Sequence, residues 1–412
     1  MNRVCIYNFF TYFVFLYIDN QSWSIDKKNQ IFLKKIVSGI YLHIPFCKQA
    51  CHYCDFHFST SLKTKDLVLD SMLKEIEMQK GFLSEKIQTI YFGGGTPSIL
   101  STQELGNLLE GINKNFTIDS ENLELTLEAN PDDLTTSKLK ELASLGVNRL
   151  SIGLQSFHEP HLKMMNRAHN AEESKQCVKM AQDAGFSNLT IDLIYGIPAS
   201  DHSIWENDLA TALELNVPHI SSYCLTVEPK TALGQWSKTG KFKPAEDEFA
   251  AEQFEYLVQT LRRKGYEQYE ISNFAKEGFY SKHNSSYWQG KPYLGIGPGA
   301  HSFDGHKRRQ YNVSNNPKYY KSILNHHKLD CEVEHLTRED GINEYLLTTL
   351  RTSWGCDTEH LKNIYQFDLK EEKKKELEKM NDAGWLVWKE NKLILSSSGK
   401  LFADQIASDL FL

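Results

Sequence analysis

The chain has 412 residues and a formal net charge of -7, with 41% hydrophobic and 24% charged residues. These values fit a folded globular protein with a large core and exclude collagen-like or disordered character. The acidic balance offers no general attraction to phosphate backbones or anionic lipid, so nucleic acid is not an expected partner.

Eight cysteines are few for this length, and Cys47, Cys51 and Cys54 crowd into one short stretch. A secreted disulfide scaffold would be denser, so the cluster points to metal in a reducing compartment, the cytoplasm.

Residues 4–18 are aromatic-rich and apolar but fall short of the roughly 20 that cross a bilayer. A signal peptide lacks its small-residue cleavage site here, because Asp19, Asn20 and Gln21 end the run. The first 38 residues are therefore read as an extension, with translation expected to start near Val37.

From Gly39 to about Thr226, short apolar runs alternate with helical spacing, as in Leu67, Met72, Leu73 and Ile76. This is the pattern of βα units around a parallel sheet. Strands are predicted at 40–44, 89–92, 123–127, 149–154, 189–195 and 219–225. Six units make an α/β fold of the partial barrel type, with chemistry at the carboxyl ends of the strands.

The polar motifs follow that rule. Cys47–Cys54 comes after the first strand, Gly93-Gly94-Gly95-Thr96-Pro97 after the second, and Glu128-Ala129-Asn130-Pro131 after the third. Gln155-Ser156 and Gly196-Ile197-Pro198 come after the fourth and fifth.

A core at 39–240 is expected to give way to a helical and loop extension at 241–304, with one long helix at 246–264 and a loop-rich stretch at 272–302. A mainly helical C-terminal domain at 305–412 ends in short runs at 385–388 and 393–395 around Glu390-Asn391, resembling a winged helix. The acidic balance favours packing or a lid role for that tail over DNA binding.

Cys47-Lys-Gln-Ala-Cys51-His-Tyr-Cys54 is a CxxxCxxC spacing. Three thiolates on one loop can hold three corners of a cubane iron–sulfur cluster and leave the fourth iron open. A zinc site would instead need a histidine such as His52 or His57. The glycine run is either a tight strand-to-helix turn or a place where backbone approaches a ligand. Glu128 is either a helix N-terminal charge or an acceptor for a ribose or amine.

The cysteine spacing after a strand, together with these motifs, resembles the radical S-adenosylmethionine superfamily. The runs Arg149-Leu-Ser-Ile-Gly-Leu-Gln-Ser-Phe157, Asn166-Arg167-Ala-His169 and Ile191-Asp-Leu-Ile-Tyr-Gly-Ile-Pro198 are similar to its oxygen-independent coproporphyrinogen III oxidase branch. The resemblance implies a 4Fe-4S cluster on Cys47, Cys51 and Cys54. It also implies S-adenosylmethionine beside Tyr41, Tyr53, Gly94, Gly95, Thr96, Glu128, Gln155, Arg167 and Asp192.

True oxidases of the branch carry a further cysteine two positions after the third, where this chain has Asp55-Phe56. His283-Asn-Ser-Ser-Tyr-Trp288 resembles the HNxxYW motif of the branch's heme chaperones. That resemblance implies heme near His283, Asn284, Tyr287 and Trp288, with His283 either ligating iron or shaping the pocket. The expected partners are heme and an acceptor protein, membrane-associated in one reading; the alternative function is radical decarboxylation of coproporphyrinogen III.

Overall fold

The computed structural model describes residues 38–412. The expectations for the N-terminal extension lie outside them. Six parallel strands run in chain order, β1 (Ser38–Ile44), β2 (Ile87–Gly94), β3 (Glu124–Ala129), β4 (Arg149–Gln155), β5 (Leu189–Tyr195) and β6 (His219–Cys224). Each coincides with a predicted strand to within a few residues, because a run of β-branched and aromatic residues bounded by turn signals leaves little choice of register.

The helices between these strands begin where the sequence supplies caps. Ser101 and Glu104 form a capping box at Thr102–Asn115, and Asn170 with Glu173 does the same at Ala171–Asp183. Alternation then sorts each strand's side chains. Ile40, Leu42 and Ile44 join the hydrophobic core, while Tyr41 and His43 share the opposite face, one hydrogen-bonded to the other. That second face is polar, and it carries the candidate site.

The later strands extend this sheet at both edges. Antiparallel β8 (Asn273–Ala275) adds to β6, and β7 (Glu267–Glu270) adds to β8. On the other side β9 (Tyr293–Ile296) runs parallel to β1, followed by β10 (His301–Phe303), β11 (Arg308–Asn312) and β12 (Cys331–His335). The stretch expected to be loop-rich thus holds three short strands and the helix Lys282–Trp288. Strands of three or four residues are too short for alternation to announce them.

In the C-terminal part, β14 (Leu386–Lys389) and β15 (Lys392–Leu395) pair around the Glu390-Asn391 turn, and β13 (Cys356–Asp357) completes a three-stranded sheet among helices. Arg351 ties this part to the large sheet. Its guanidinium lies 3.1 Å from Glu270 Oε1 and 2.5 Å from Asp404 Oδ1, with the Glu270 side chain only 1% exposed. Removing the cation would leave that buried carboxylate with only the neutral donors Ser272 N–H and Asn273 Nδ2 against its charge. Arg351→Met should therefore lower the free energy of unfolding by about 3 to 5 kcal/mol, as read from urea denaturation; a loss under about 1 kcal/mol, the level of an exposed ion pair, would refute this account.

Candidate cofactor site

The chain leaves β1 through Pro45-Phe46 into the cysteine loop, whose neck is closed by backbone bonds. Cys47 N–H donates to Ser59 O at 3.1 Å, and Ser59 N–H donates to Pro45 O at 2.9 Å. The far side is pinned by the segment after β4. Gln49 Nε2 donates to Asn166 Oδ1 and Asn166 Nδ2 donates to Ala50 O, both at 2.7 Å, and His52 N–H reaches Met165 O at 3.0 Å. Lys48 pairs with Asp132 and Asp133 after β3. Cys47, Cys51 and Cys54 are all half-buried on this braced loop.

Neither histidine proposed for a zinc alternative is aimed at the thiols. His52 Nδ1 bonds Met164 O at 2.8 Å, and its ring meets Trp236 edge-on at 4.6 Å. His57 Nε2 bonds Asn316 Oδ1 at 2.8 Å. Among the described residues no group of three His, Cys, Asp or Glu side chains converges on a single-ion site.

The glycine turn lies directly against the loop's neck. Gly95 N–H donates to Ile44 O at 2.8 Å and Thr96 N–H to Phe46 O at 2.7 Å. A Cβ on Gly95 would stand 2.6 Å from Phe46 O, so no side chain fits there. Gly94 has φ +106° and donates its N–H to Glu128 Oε2 at 3.1 Å, while Tyr91 Oη donates to Glu128 Oε1 at 2.8 Å. Behind Gly94 stands the His43 ring, 2.6 Å from where its Cβ would be.

His43 Nε2 faces the His57 carbonyl at 2.9 Å, which makes that nitrogen the donor. Nδ1 is then the acceptor for Tyr41 Oη, 3.1 Å away. Burial holds this imidazole neutral by lowering its pKa to about 4. The neutral tautomer in turn orients Tyr41.

Arg167 bridges the cysteine loop and the strand ends. Its Nη1 donates to Cys51 Sγ at 3.3 Å and to Tyr53 Oη at 3.5 Å, and its Nη2 to Gly153 O at 2.7 Å and Asn130 Oδ1 at 2.8 Å. Its Nε is buried and makes no hydrogen bond within the protein. Gln155, at the end of β4, adopts φ 70°, a conformation that costs a non-glycine residue energy and often marks a functional position. Asp192, on β5, accepts weakly from Ser151 Oγ at 3.4 Å.

Burial dominates the electrostatics. It pushes the Glu128 carboxyl up to about 7 against the Tyr91 hydrogen bond, with nearby Asp192 raising it further. Asp192 is raised to about 6 by burial, against hydrogen bonds from Ser221 and Ser151. The Cys47 and Cys54 thiols are pushed up to about 11 and about 12, again by burial. Thiols in such surroundings ionise when a cation accompanies them, as metal binding provides.

The HNxxYW residues lie elsewhere, at the starts of the strands. The helix Lys282–Trp288 offers its first N–H groups to the Glu124 carboxylate, with Lys282 at 3.0 Å and His283 at 2.9 Å. His283 is 1% exposed and stacks on Tyr91 at 4.9 Å. Both of its ring nitrogens are engaged, Nδ1 with Thr89 Oγ1 at 2.8 Å and Nε2 with Tyr287 Oη at 2.7 Å. Gly39 makes room for the ring, since a Cβ there would lie 3.2 Å from it. Trp288 turns away toward Arg351, 5.6 Å from its ring, and Asn284 is half-buried on the same turn.

The structure brings Tyr53 and Arg167 onto the cysteine loop and Gly94, Gly95, Thr96 and Glu128 beside its neck, with Tyr41 behind them against His43 and Tyr91. Tyr41 and Tyr91 separate them from His283, which forms a floor. Sequence reasoning missed His43, Tyr91 and Asn130. The first could have been found from its i, i+2 relation to Tyr41, and the last from the same relation to Glu128.

Residues 41–208 match the family profile of the radical SAM superfamily. The chain is 34% identical to the heme chaperone HemW of Bacillus subtilis over 372 residues, covering 90% of this chain and 98% of that protein. The chain belongs to the HemW family of radical SAM proteins. Its likeness to Escherichia coli HemW is 38% over 272 residues, covering 64% of this chain and 69% of that protein. The fold is shared with the E. coli coproporphyrinogen III oxidase HemN, at a TM-score of 0.79 and 21% identity over 92% of this chain and 90% of that one.

Radical SAM membership implies a 4Fe-4S cluster and S-adenosylmethionine, and the site suits both. It offers three half-buried thiols on one braced loop, a side-chain-free turn, a half-buried carboxylate at Glu128 and the Arg167 Nε that makes no hydrogen bond within the protein.

The raised Glu128 carboxyl sets a stability test with a definite sign. Its folded pKa of about 7 lies above the ordinary carboxyl value of 4.5, so its protonation stabilises the fold below the lower value and that stability is lost as pH rises through the higher. Glu128→Gln has no such loss. The thermal midpoint of the variant minus that of the wild type should rise between pH 4.5 and pH 7, and a flat difference would contradict the burial argument.

Proposed function

We propose that this protein is a cytoplasmic heme chaperone that binds heme and passes it to an acceptor protein. The similarity to the B. subtilis heme chaperone, 34% identity over nearly the full length of both chains, carries this reading. Asp55-Phe56, where the oxidases of the branch have a further cysteine, supports it. In this reading Cys47, Cys51 and Cys54 hold the 4Fe-4S cluster. When bound, that cluster supplies an iron without a protein thiolate and an electron for S-adenosylmethionine.

The chain's own residues then bind and orient. Glu128, fixed by Tyr91 and Gly94, accepts from the amine or ribose of S-adenosylmethionine, and Arg167 Nε is free to donate to its carboxylate. Tyr41 and Tyr53 wall the pocket, Gly94, Gly95 and Thr96 let backbone approach, and Gln155 and Asp192 complete its rim. His283, Asn284, Tyr287 and Trp288 are the heme residues of this reading. His283 either ligates iron or shapes the heme pocket; as an iron ligand its Nε2 would exchange its bond to Tyr287 Oη.

Anaerobic reconstitution followed by parallel assays tests the proposal. Serine at Cys47, Cys51 or Cys54 should abolish the visible absorbance and the iron content of the reconstituted cluster. The wild type should bind heme with a shifted Soret band and yield no protoporphyrinogen; sustained turnover of coproporphyrinogen III would sink the chaperone reading.

A pair of variants tests the ligand. His283→Ala should weaken heme binding, whereas Tyr287→Phe, which releases Nε2 and keeps the ring, should strengthen it. Unchanged affinity in both would put heme elsewhere.

A further inference from the structure

Glu75, on the helix Lys65–Met78, has no solvent exposure. Burying a carboxylate costs several kcal/mol unless donors compensate, roughly in proportion to how many it finds. Glu75 has three, each from a different part of the later chain. Gly297 N–H donates to Oε2 at 2.8 Å, Tyr319 Oη to the same oxygen at 2.5 Å, and Asn312 Nδ2 to Oε1 at 2.6 Å. Asn312 Nδ2 also reaches Gly297 O at 2.9 Å, so the carboxylate and the amide together hold one turn. Burial pushes the carboxyl up to about 7 while the three hydrogen bonds pull it down, as expected of a group whose charged form is what the donors favour.

The turn so held, 297–300, presses on the back of the cofactor pocket. Gly297 has φ +106°, and a Cβ there would lie 2.5 Å from His43 O on β1. A Cβ on Gly299 would touch His57 Cβ at 3.6 Å. His57 is anchored from the same side by Asn316, and its carbonyl fixes the tautomer of His43. His43 in turn orients Tyr41 and fills the space behind Gly94, whose N–H meets Glu128. An unbroken series of contacts thus runs from Glu75 to the groups proposed to hold S-adenosylmethionine.

We propose that Glu75 is a positioning residue for the cofactor pocket, gripping Gly297, Asn312 and Tyr319 so that the 297–300 turn holds His43 behind Gly94 and Tyr41. The inference rests on the reading of that pocket as the S-adenosylmethionine site. Glu75 touches neither thiol nor pocket, and its effect travels through packed contacts that have little freedom to relax. The same grip joins the region after β9 to the first helix of the barrel, so changes in the later chain reach the pocket by this route.

The test uses the full chain, anaerobically reconstituted. S-adenosylmethionine affinity is measured by equilibrium dialysis, and its binding by the change it causes in the electron paramagnetic resonance spectrum of the reduced cluster. Glu75→Gln and Tyr319→Phe should each raise the Kd roughly threefold to tenfold, with iron content unchanged. Both act through one carboxylate, so the double variant should be no weaker than Glu75→Gln alone.

If Glu75→Gln does not fold, Tyr319→Phe carries the test, because it keeps the carboxylate and removes one hydroxyl. Variants that melt earlier yet bind with wild-type Kd and give the wild-type spectral change would overturn the proposal and leave Glu75 a stability residue. A wild-type protein that carries the cluster and binds no S-adenosylmethionine would overturn the pocket reading itself, and this inference with it.

Discussion

Two backbone hydrogen bonds, from Gly95 to Ile44 and from Thr96 to Phe46, join the end of β2 to the neck of the cysteine loop. They require the two main chains to approach so closely that Gly95 has no space for a side chain. Everything proposed for the site depends on that approach. It brings the turn that exposes backbone beside the loop that carries the thiols, and it fixes Gly94 where its N–H can meet Glu128.

Around this contact the molecule is layered. The cysteine loop and Arg167 lie at the strand ends, followed inward by Glu128 with Tyr41 and Tyr91, and then by the His283 floor. The outer layer is half-buried and the His283 floor is buried, and the groups of each are held by specific donors and acceptors. Raised carboxyl pKa values at Glu128 and Asp192 are the electrostatic expression of that burial. Such groups favour a cationic ligand that restores the charged form, and S-adenosylmethionine is cationic at sulfur.

The HNxxYW motif gains a structural meaning beside its proposed heme role. His283 is the centre of a packed floor, with Thr89, Tyr91 and Tyr287 around its ring and Glu124 at its helix start. A heme site built from these residues would be coupled to the pocket above, because Tyr91 contacts both His283 and Glu128. The buried Arg351 likewise joins the C-terminal helices to β7 through Glu270 and lies over Trp288.

The six parallel strands and the CxxxCxxC loop were legible in the amino-acid order, because apolar alternation and close cysteine spacing are local properties. The short strands β8, β9 and β10 were not, since three or four residues carry no period, and β9 in addition pairs with β1, roughly 250 residues earlier in the chain. The same holds for the site. Glycines and polar residues at strand ends marked the pocket, yet only the tertiary structure decided that Glu75 would grip Gly297 and that His283 would bond Thr89. A hydrogen bond across two hundred residues depends on where packing sets its two ends, and a local run of residues does not contain that information.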